Sequence, residues 1–365
     1  MGILGGVLLS QLLAMACAWS GIIAEIGKAD RIPDCDGWTD LHVAAANGNI
    51  PVLSRLLADR IFPIDSRNAN LRTPLYEAAK RGKLQAVQLL ADHGADISIH
   101  AATGFTPLHI ASEQKQLAVM EYLIRKGADV NAVNDWDQTP LHQVSWQLWH
   151  RDASAAEFLV AHGADLEHED NRRYTPLHIA VKHGNFPVVE LLLQKGANVE
   201  GAPGDQSPLL TTVYAEYDNP GKMAQLLIDY GAKVDSTAGG KHSPLRVAAQ
   251  QGQFKMAALL LNAGANPLLE ASDHFTPFHV AVFNGNIELT RLFLQKGVDV
   301  NSASNIFFPA IYIAAQKGNT EMIELLIANG ANVNLRARGW SPLQIARNHH
   351  HEEAARILEQ NGAVE

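Results

Sequence analysis

The chain has little of what disulfide scaffolds, catalysis or metal binding require. It holds two Cys among 365 residues, which is too few for a disulfide framework. It contains no GxGxxG, GxxxxGK[ST], GxSxG, HExxH or CxxC segment, so the common phosphate-binding, nucleophile and metal-ligand motifs are absent. We therefore expect a protein that is not an enzyme and that has no cofactor and no metal.

Charge is also scarce, and positive charge more so than negative. Only 18% of residues are charged, with 29 Lys and Arg against 38 Asp and Glu, for a net charge of -9. No stripe rich in Lys and Arg is present. Because a phosphate backbone would be repelled on average, nucleic acid is excluded as the expected partner.

What the sequence does have is a phrase that recurs about every 33 residues. It consists of Thr or Ser, usually Pro, an apolar residue, often His, and then small residues. The ten starts are Thr39, Thr73, Thr106, Thr139, Thr175, Ser207, Ser243, Thr276, Pro309 and Ser341. Such even spacing predicts an array of structural repeats.

Each repeat carries the signals of two short helices. A Thr or Ser hydroxyl can accept from the free N–H groups of a helix start, and Pro suits the first turn. A Gly then ends this helix, as at Gly184, and a second amphipathic helix follows, such as 188–195. A second Gly, such as Gly196, ends that helix.

These residues resemble the ankyrin repeat family, whose TPLH phrase and repeat length they match. TPLHIA stands intact at Thr106 and again at Thr175. The resemblance covers about residue 34 to the C-terminus and implies an all-α fold. That fold is an α-solenoid of about ten ankyrin repeats with short β-hairpin loops, at 36–365. It also implies that the His of the phrase ties turns together and is not a ligand.

The N-terminus lies outside the repeats. Residues 1–24 contain no charged side chain, so we expect a hydrophobic N-terminal helix within 1–27 and a linker at 28–35. Residues 3–24 could associate with a membrane, and Lys28 and Arg31 would then favour repeats on the cytoplasmic side. The alternative is a cleaved signal peptide and a secreted or periplasmic protein.

Two repeats carry matching insertions. In repeats four and six the terminal Gly lies 24 positions after the start, whereas in seven other repeats it lies 21 positions after it. Both place aromatics at offsets +7 and +10 from the start, namely Trp146 and Trp149, and Tyr214 and Tyr217. Phe283 shares offset +7. In the family, this offset lies on the concave side that meets partners.

A second aromatic series precedes the starts. The resemblance places this position on the binding face as well. We predict these residues as partner-binding, in addition to the inserted pairs and Phe283: Trp136, Tyr174, Phe275 and Phe308. Aromatic residues are enriched at interface hot spots because they bury a large area.

We therefore expect a monomeric protein-protein interaction module that binds a protein partner through the concave face and hairpin tips. It could be a membrane-tethered scaffold or adaptor. The alternative function is an exported ankyrin protein that acts as an inhibitor or effector on a target protein. A third interpretation is a structural adaptor without a groove partner, which buried inserted aromatics would favour.

Overall fold

Twenty short helices in ten pairs make up the part of the chain that this computed structural model describes. The described residues are 37–146, 152–201, 207–237, 242–302 and 308–365. They fall into two compact units, which divide after Ala197. The first unit contains repeats one to five and the second contains repeats six to ten.

The first helix of each pair begins directly after the Thr, Ser or Pro start. For eight of the ten starts, the hydroxyl accepts from the backbone N–H three residues later. These helices are α1 (Asp40–Asn47), α3 (Pro74–Lys80), α5 (Pro107–Glu113), α7 (Pro140–Ser145), α9 (Pro176–Lys182), α11 (Pro208–Val213), α13 (Pro244–Gln250), α15 (Pro277–Phe283), α17 (Ala310–Lys317) and α19 (Pro342–Asn348).

The second helix of each pair packs against the first and is more amphipathic. A Gly with positive φ follows most of them, as at Gly94, where φ is 90°. These helices are α2 (Ile50–Asp59), α4 (Leu84–Asp92), α6 (Leu117–Arg125), α8 (Ser154–Ala161), α10 (Phe186–Gln194), α12 (Pro220–Asp229), α14 (Phe254–Asn262), α16 (Ile287–Gln295), α18 (Thr320–Ala328) and α20 (Glu352–Gln360).

Each unit is built of two helical layers. Within a unit, each first helix contacts the first helix of the next repeat, and each second helix contacts the next second helix. Small residues such as Ala79 and Ala111 are fully buried between first helices and permit this close approach. Leu at the second helical position, as in Leu75 and Leu108, fills the space between the layers. Burying each Leu contributes about 2 kcal/mol.

The loops between repeats turn back on themselves but form no strands in the described ranges. In one such loop the Asn68 N–H donates to the Arg72 carbonyl, and the Asn68 Oδ1 accepts from two backbone N–H groups inside the loop. An isolated bridge joins Ala337 and Trp340. The expected β-hairpins are therefore tight hairpin turns, because the closing hydrogen bonds join residues within one short turn and leave no room for a ladder.

The predicted hydrophobic N-terminal helix and linker lie outside the described residues, which begin at Gly37. Among the helices that are described, none is long and apolar enough to cross a membrane.

Candidate protein-binding surface

The buried His residues of the TPLH phrase belong to the scaffold. At His109, the Thr106 N–H donates to the ring Nδ1 (3.2 Å), so Nε2 carries the proton and donates to the Gln138 carbonyl of the next repeat (2.9 Å). His142 makes the same bridge to the Tyr174 carbonyl at 3.0 Å. The expectation that these residues tie turns together is confirmed.

Burial keeps these imidazoles neutral. Desolvation lowers the pKa of His109, His142 and His279 to about 4 each, because a buried imidazolium would lose its hydration. Within the described ranges, no group of three or more His, Cys, Asp or Glu could hold a metal ion.

Arg246 replaces the His of the phrase in repeat seven and performs the same bridging. Its Nη1 donates to the Phe275 carbonyl (2.8 Å), and its Nη2 pairs with Asp273 (2.5 Å). The guanidinium is almost fully buried, so Asp273 is held beside it as its counterion. Repeat seven therefore keeps the same link between neighbouring repeats with different chemistry.

One surface in each unit is formed jointly by the hairpin tips and the C-terminal ends of the first helices. We call it the hairpin surface; it comprises offsets −3 to −1 and +7 to +8 from each start. Contacts across it show that the two parts meet. The Lys182 ammonium lies 5.2 Å from the Tyr174 ring centroid, and the Phe275 and Phe283 rings meet edge-on at 6.0 Å.

In the first unit, Trp136, Trp146 and Tyr174 of the predicted aromatics lie on the hairpin surface. Trp136 is exposed at a hairpin tip and meets Phe105 edge-on, with ring centroids 6.1 Å apart. Tyr174 is half-buried in the next repeat and stacks on the ring of His178 at 5.7 Å. These contacts pack both rings against the turns, while Trp136 stays exposed and Tyr174 half-buried.

Trp146 shows what the first insertion does. Helix α7 ends one residue earlier than its neighbours, and Trp146 caps it with its indole 45% exposed. The Asn185 side chain of the next repeat donates to the Val144 carbonyl (3.3 Å), which satisfies the shortened helix end. The indole stacks on His183 at 4.3 Å. Trp149 lies outside the described residues.

The second insertion, in repeat six, is built similarly but is not symmetrical. Tyr214 caps α11 and is exposed, and the Gln253 side chain donates to the Val213 carbonyl at 2.9 Å. Tyr217 is half-buried, and its hydroxyl has no hydrogen-bond partner among the described residues. Burial raises the pKa of that hydroxyl. Tyr217 therefore contributes to packing, and at offset +10 it lies outside the hairpin surface.

In the second unit, cations lie over two of the predicted rings, Phe283 and Phe308. Phe283 is exposed at the end of α15, and the Lys317 ammonium lies 3.8 Å from its centroid. The Arg338 guanidinium lies 5.0 Å from the centroid of half-buried Phe308. Sequence reasoning found the rings and missed these cations. The sequence does place basic residues at the same offsets as the predicted aromatics. Lys182 is at offset +7, which Trp146, Tyr214 and Phe283 occupy in other repeats, and Lys317 is at the neighbouring offset +8.

Comparison with known proteins agrees with this architecture. A family model described as ankyrin repeats (three copies) matches residues 13–101, 41–134, 108–202, 211–304 and 306–364. These ranges together cover most of the chain.

Similar sequences match short stretches of the array. A protein of Rickettsia felis named as an ankyrin repeat protein is 40% identical over 78 residues, covering 21% of this chain and 33% of that protein. E3 ubiquitin-protein ligase XB3 of Oryza sativa is 44% identical over 66 residues, covering 18% of this chain and 14% of the ligase. The chain thus spans a third or less of the length of these relatives.

Similar solved structures cover more of the chain. The ankyrin repeat domain of human ASB11 is 25% identical with a TM-score of 0.55, and the match covers 63% of this chain and all of that domain. The ankyrin repeat domain of Bcl-3, a member of the IkappaB family, is 27% identical with a TM-score of 0.50. That match covers 67% of this chain and 95% of that domain.

Proposed function

We propose a function from one established premise: this chain belongs to the ankyrin repeat family. Ankyrin repeats are protein-protein interaction modules. The further proposal concerns where the partner binds. We assign binding to the hairpin surface, with its aromatic side chains as the anchors.

The distribution of exposed aromatics carries this proposal. Seven aromatic side chains are classed as exposed among the described residues, and five of them lie on the hairpin surface. These five are Trp136, Trp146, Tyr214, Phe283 and Trp340. The remaining two, Tyr230 and Phe254, belong to second helices. Exposed apolar side chains that are grouped on one surface mark interaction sites, and Trp and Tyr are enriched among interface hot spots.

The geometry supports binding more than a purely structural role for these rings. The Asn185 side chain satisfies the Val144 carbonyl at the end of α7 without the Trp146 indole, so this link between repeats does not depend on that ring. Its stacking on His183 fixes the ring orientation before a partner arrives. Preorganisation of this kind lowers the entropic cost of binding.

The match to the rice ligase does not extend this function to ubiquitin transfer. The matched 66 residues correspond to about two repeats and cover 14% of the ligase.

Membrane tethering, with the repeats on the cytoplasmic side, remains a proposal that rests on the sequence of residues 3–24 alone. The same holds for the alternative, export as an inhibitor or effector. Fractionation of the full chain beside a variant without residues 1–27 tests both: an uncleaved chain in the membrane fraction supports tethering, and a shortened chain outside the cell supports export.

Affinity capture from the source cells, with mass spectrometry, tests the proposed surface. Trp136→Ala and Trp146→Ala should each weaken a captured interaction by about 2 kcal/mol, roughly thirtyfold, on the hot-spot scale. We propose the same loss of binding for Trp149→Ala, because Trp149 follows Trp146 by three residues in the sequence. Phe254→Ala and Tyr230→Ala remove exposed rings of the second helices and are the matched controls. Partners lost only with the control variants would overturn the assignment.

A further inference from the structure

Repeats eight to ten of the second unit combine accessible rings with cations that have no counterion. Lys317, at the end of α17, and Arg338, in the following hairpin, are both exposed. Neither takes part in an ion pair within the described ranges, whereas Arg246, Arg347 and Arg356 all do. The residues at 303–307, which lie next in the chain to Phe308, include no acidic side chain.

Both cations are held in place by aromatic faces. The Lys317 ammonium lies over Phe283 at 3.8 Å, and Phe275 supports that ring edge-on at 6.0 Å. The Arg338 guanidinium lies over Phe308 at 5.0 Å, and Phe308 rests against Tyr312 at 5.4 Å. Such stacking attracts the cation to the ring while its outward N–H groups stay free to donate. Each pair therefore offers a positioned donor beside an apolar surface.

The acidic side chain that the hairpin surface of these repeats carries, Asp273, is already engaged. Asp273 pairs with the buried Arg246 guanidinium, and Glu270 lies 3.6 Å from the His274 ring. Glu359 and Glu365 both pair with Arg347. On the hairpin surface of these repeats, the charges without an ion pair in the described ranges are those of Lys317 and Arg338, so this part of the surface is positive in a chain of net charge -9.

We infer that repeats eight to ten bind an acidic peptide segment of a partner protein. Its carboxylates contact Lys317 and Arg338, and its apolar side chains cover Phe275, Phe283 and Phe308. This inference rests on the proposed function and adds the chemistry of the partner. A few carboxylates on a short segment match two local cations, whereas a long phosphate backbone would meet the negative charge of the whole chain.

Selection from a displayed library of random twelve-residue peptides, with the full-length chain as bait, tests the inference. Recovered peptides should be enriched in Asp and Glu together with aromatic or aliphatic residues. By fluorescence anisotropy with the labelled peptides, Lys317→Gln and Arg338→Gln should each weaken binding about twofold to fivefold, the scale of exposed charge pairs. Phe283→Ala should weaken it about tenfold or more. Higher salt should also weaken binding.

Matched variants of the second-helix layer are the controls. Lys255→Gln, Arg291→Gln and Phe254→Ala make the same chemical changes at exposed positions of α14 and α16 and should leave affinity unchanged. None of these substitutions opens a cavity, so thermal unfolding should be close to that of the parent chain.

The other outcomes separate the two claims. If neutral or basic peptides are recovered and Phe283→Ala weakens them, the acidic chemistry is wrong and the proposed surface stands. If no peptide is recovered, or if recovered peptides ignore every hairpin-surface substitution, both claims fail. If a twelve-nucleotide oligo-dT displaces the peptides as effectively as an acidic peptide does, the surface is a general anion site and the inference of a peptide is wrong.

Discussion

Acid should destabilise this protein through the buried His residues of its turns. The folded-state pKa of His109, His142 and His279 is about 4, against 6.5 for an exposed imidazole. Above pH 6.5 these rings are neutral in both the folded and the unfolded chain, so proton binding takes nothing from the free energy of unfolding. As pH falls from 6.5 toward 4, the unfolded chain binds protons that the folded chain does not, and stability is lost.

The expected loss is large enough to measure. Each ring costs about 1.4 kcal/mol per pH unit in that window, or about 2 kcal/mol between pH 7 and pH 5. The first unit holds His109 and His142 and should lose about 4 kcal/mol from these two rings, while the second unit should lose about 2 kcal/mol from His279. Urea unfolding followed by circular dichroism at several pH values gives both numbers if the units unfold separately.

A single variant isolates one ring. Gln344 occupies the position of the His in repeat ten, and its Oε1 accepts from the Ser341 N–H at 2.9 Å, so Gln fits this role. His109→Gln should lower stability by about 1–2 kcal/mol at pH 7, because the bridge to the Gln138 carbonyl is weakened. Between pH 7 and pH 5, the stability of the first unit should then fall by about 2 kcal/mol less in this variant than in the parent chain. The surface variant His93→Gln should leave that loss as it is. If His109→Gln and the parent chain lose the same stability on acidification, the neutral buried imidazole is refuted.

Two further changes test the hairpin turns and the helix starts. Gly104→Ala places a Cβ 2.5 Å from the Asp135 backbone nitrogen at a φ of +74° and should lower the free energy of unfolding by about 2 kcal/mol or more. Gly94→Ala has open space around it at a φ of +90° and should lower it by about 1 kcal/mol. Equal losses in thermal unfolding would show that the close approach at Gly104 does not matter. Thr106→Ala removes a hydroxyl that accepts from the His109 N–H and should lower stability by about 1 kcal/mol. Pro309→Thr adds the cap that repeat nine lacks and should raise stability by up to about 1 kcal/mol. An unchanged melting curve for Pro309→Thr would contradict this.

The architecture was predictable because local signals and packing agree. Thr106 with its following Pro indicates a helix start, and Gly94 indicates a helix end, so the helix pairs could be placed to within a residue or two. The loops were predicted less well: β-hairpins were expected there, but in the described ranges each loop closes as one short turn, as where the Asn68 N–H donates to the Arg72 carbonyl. Spacing alone does not distinguish that turn from a short ladder.

The candidate site was predictable in part. The offsets correctly placed Trp146 and Tyr214 at helix ends with exposed rings, since a residue after the last turn has few neighbours. The half-burial of Tyr217 depends on how its inserted loop folds, which the sequence does not dictate locally. The cations over Phe283 and Phe308 both come from the next repeat, which is distant in sequence, so they required the packed structure.

Site-directed photocrosslinking in the source cells tests most directly whether partners bind the hairpin surface. Benzoylphenylalanine replaces Phe283 in one chain and Phe254 in another, since both rings are exposed in the same unit but belong to different helical layers. The account predicts that light crosslinks a partner protein to the chain labelled at position 283 and not to the chain labelled at position 254. Equal crosslinking at both positions, or crosslinking at position 254 alone, would contradict it.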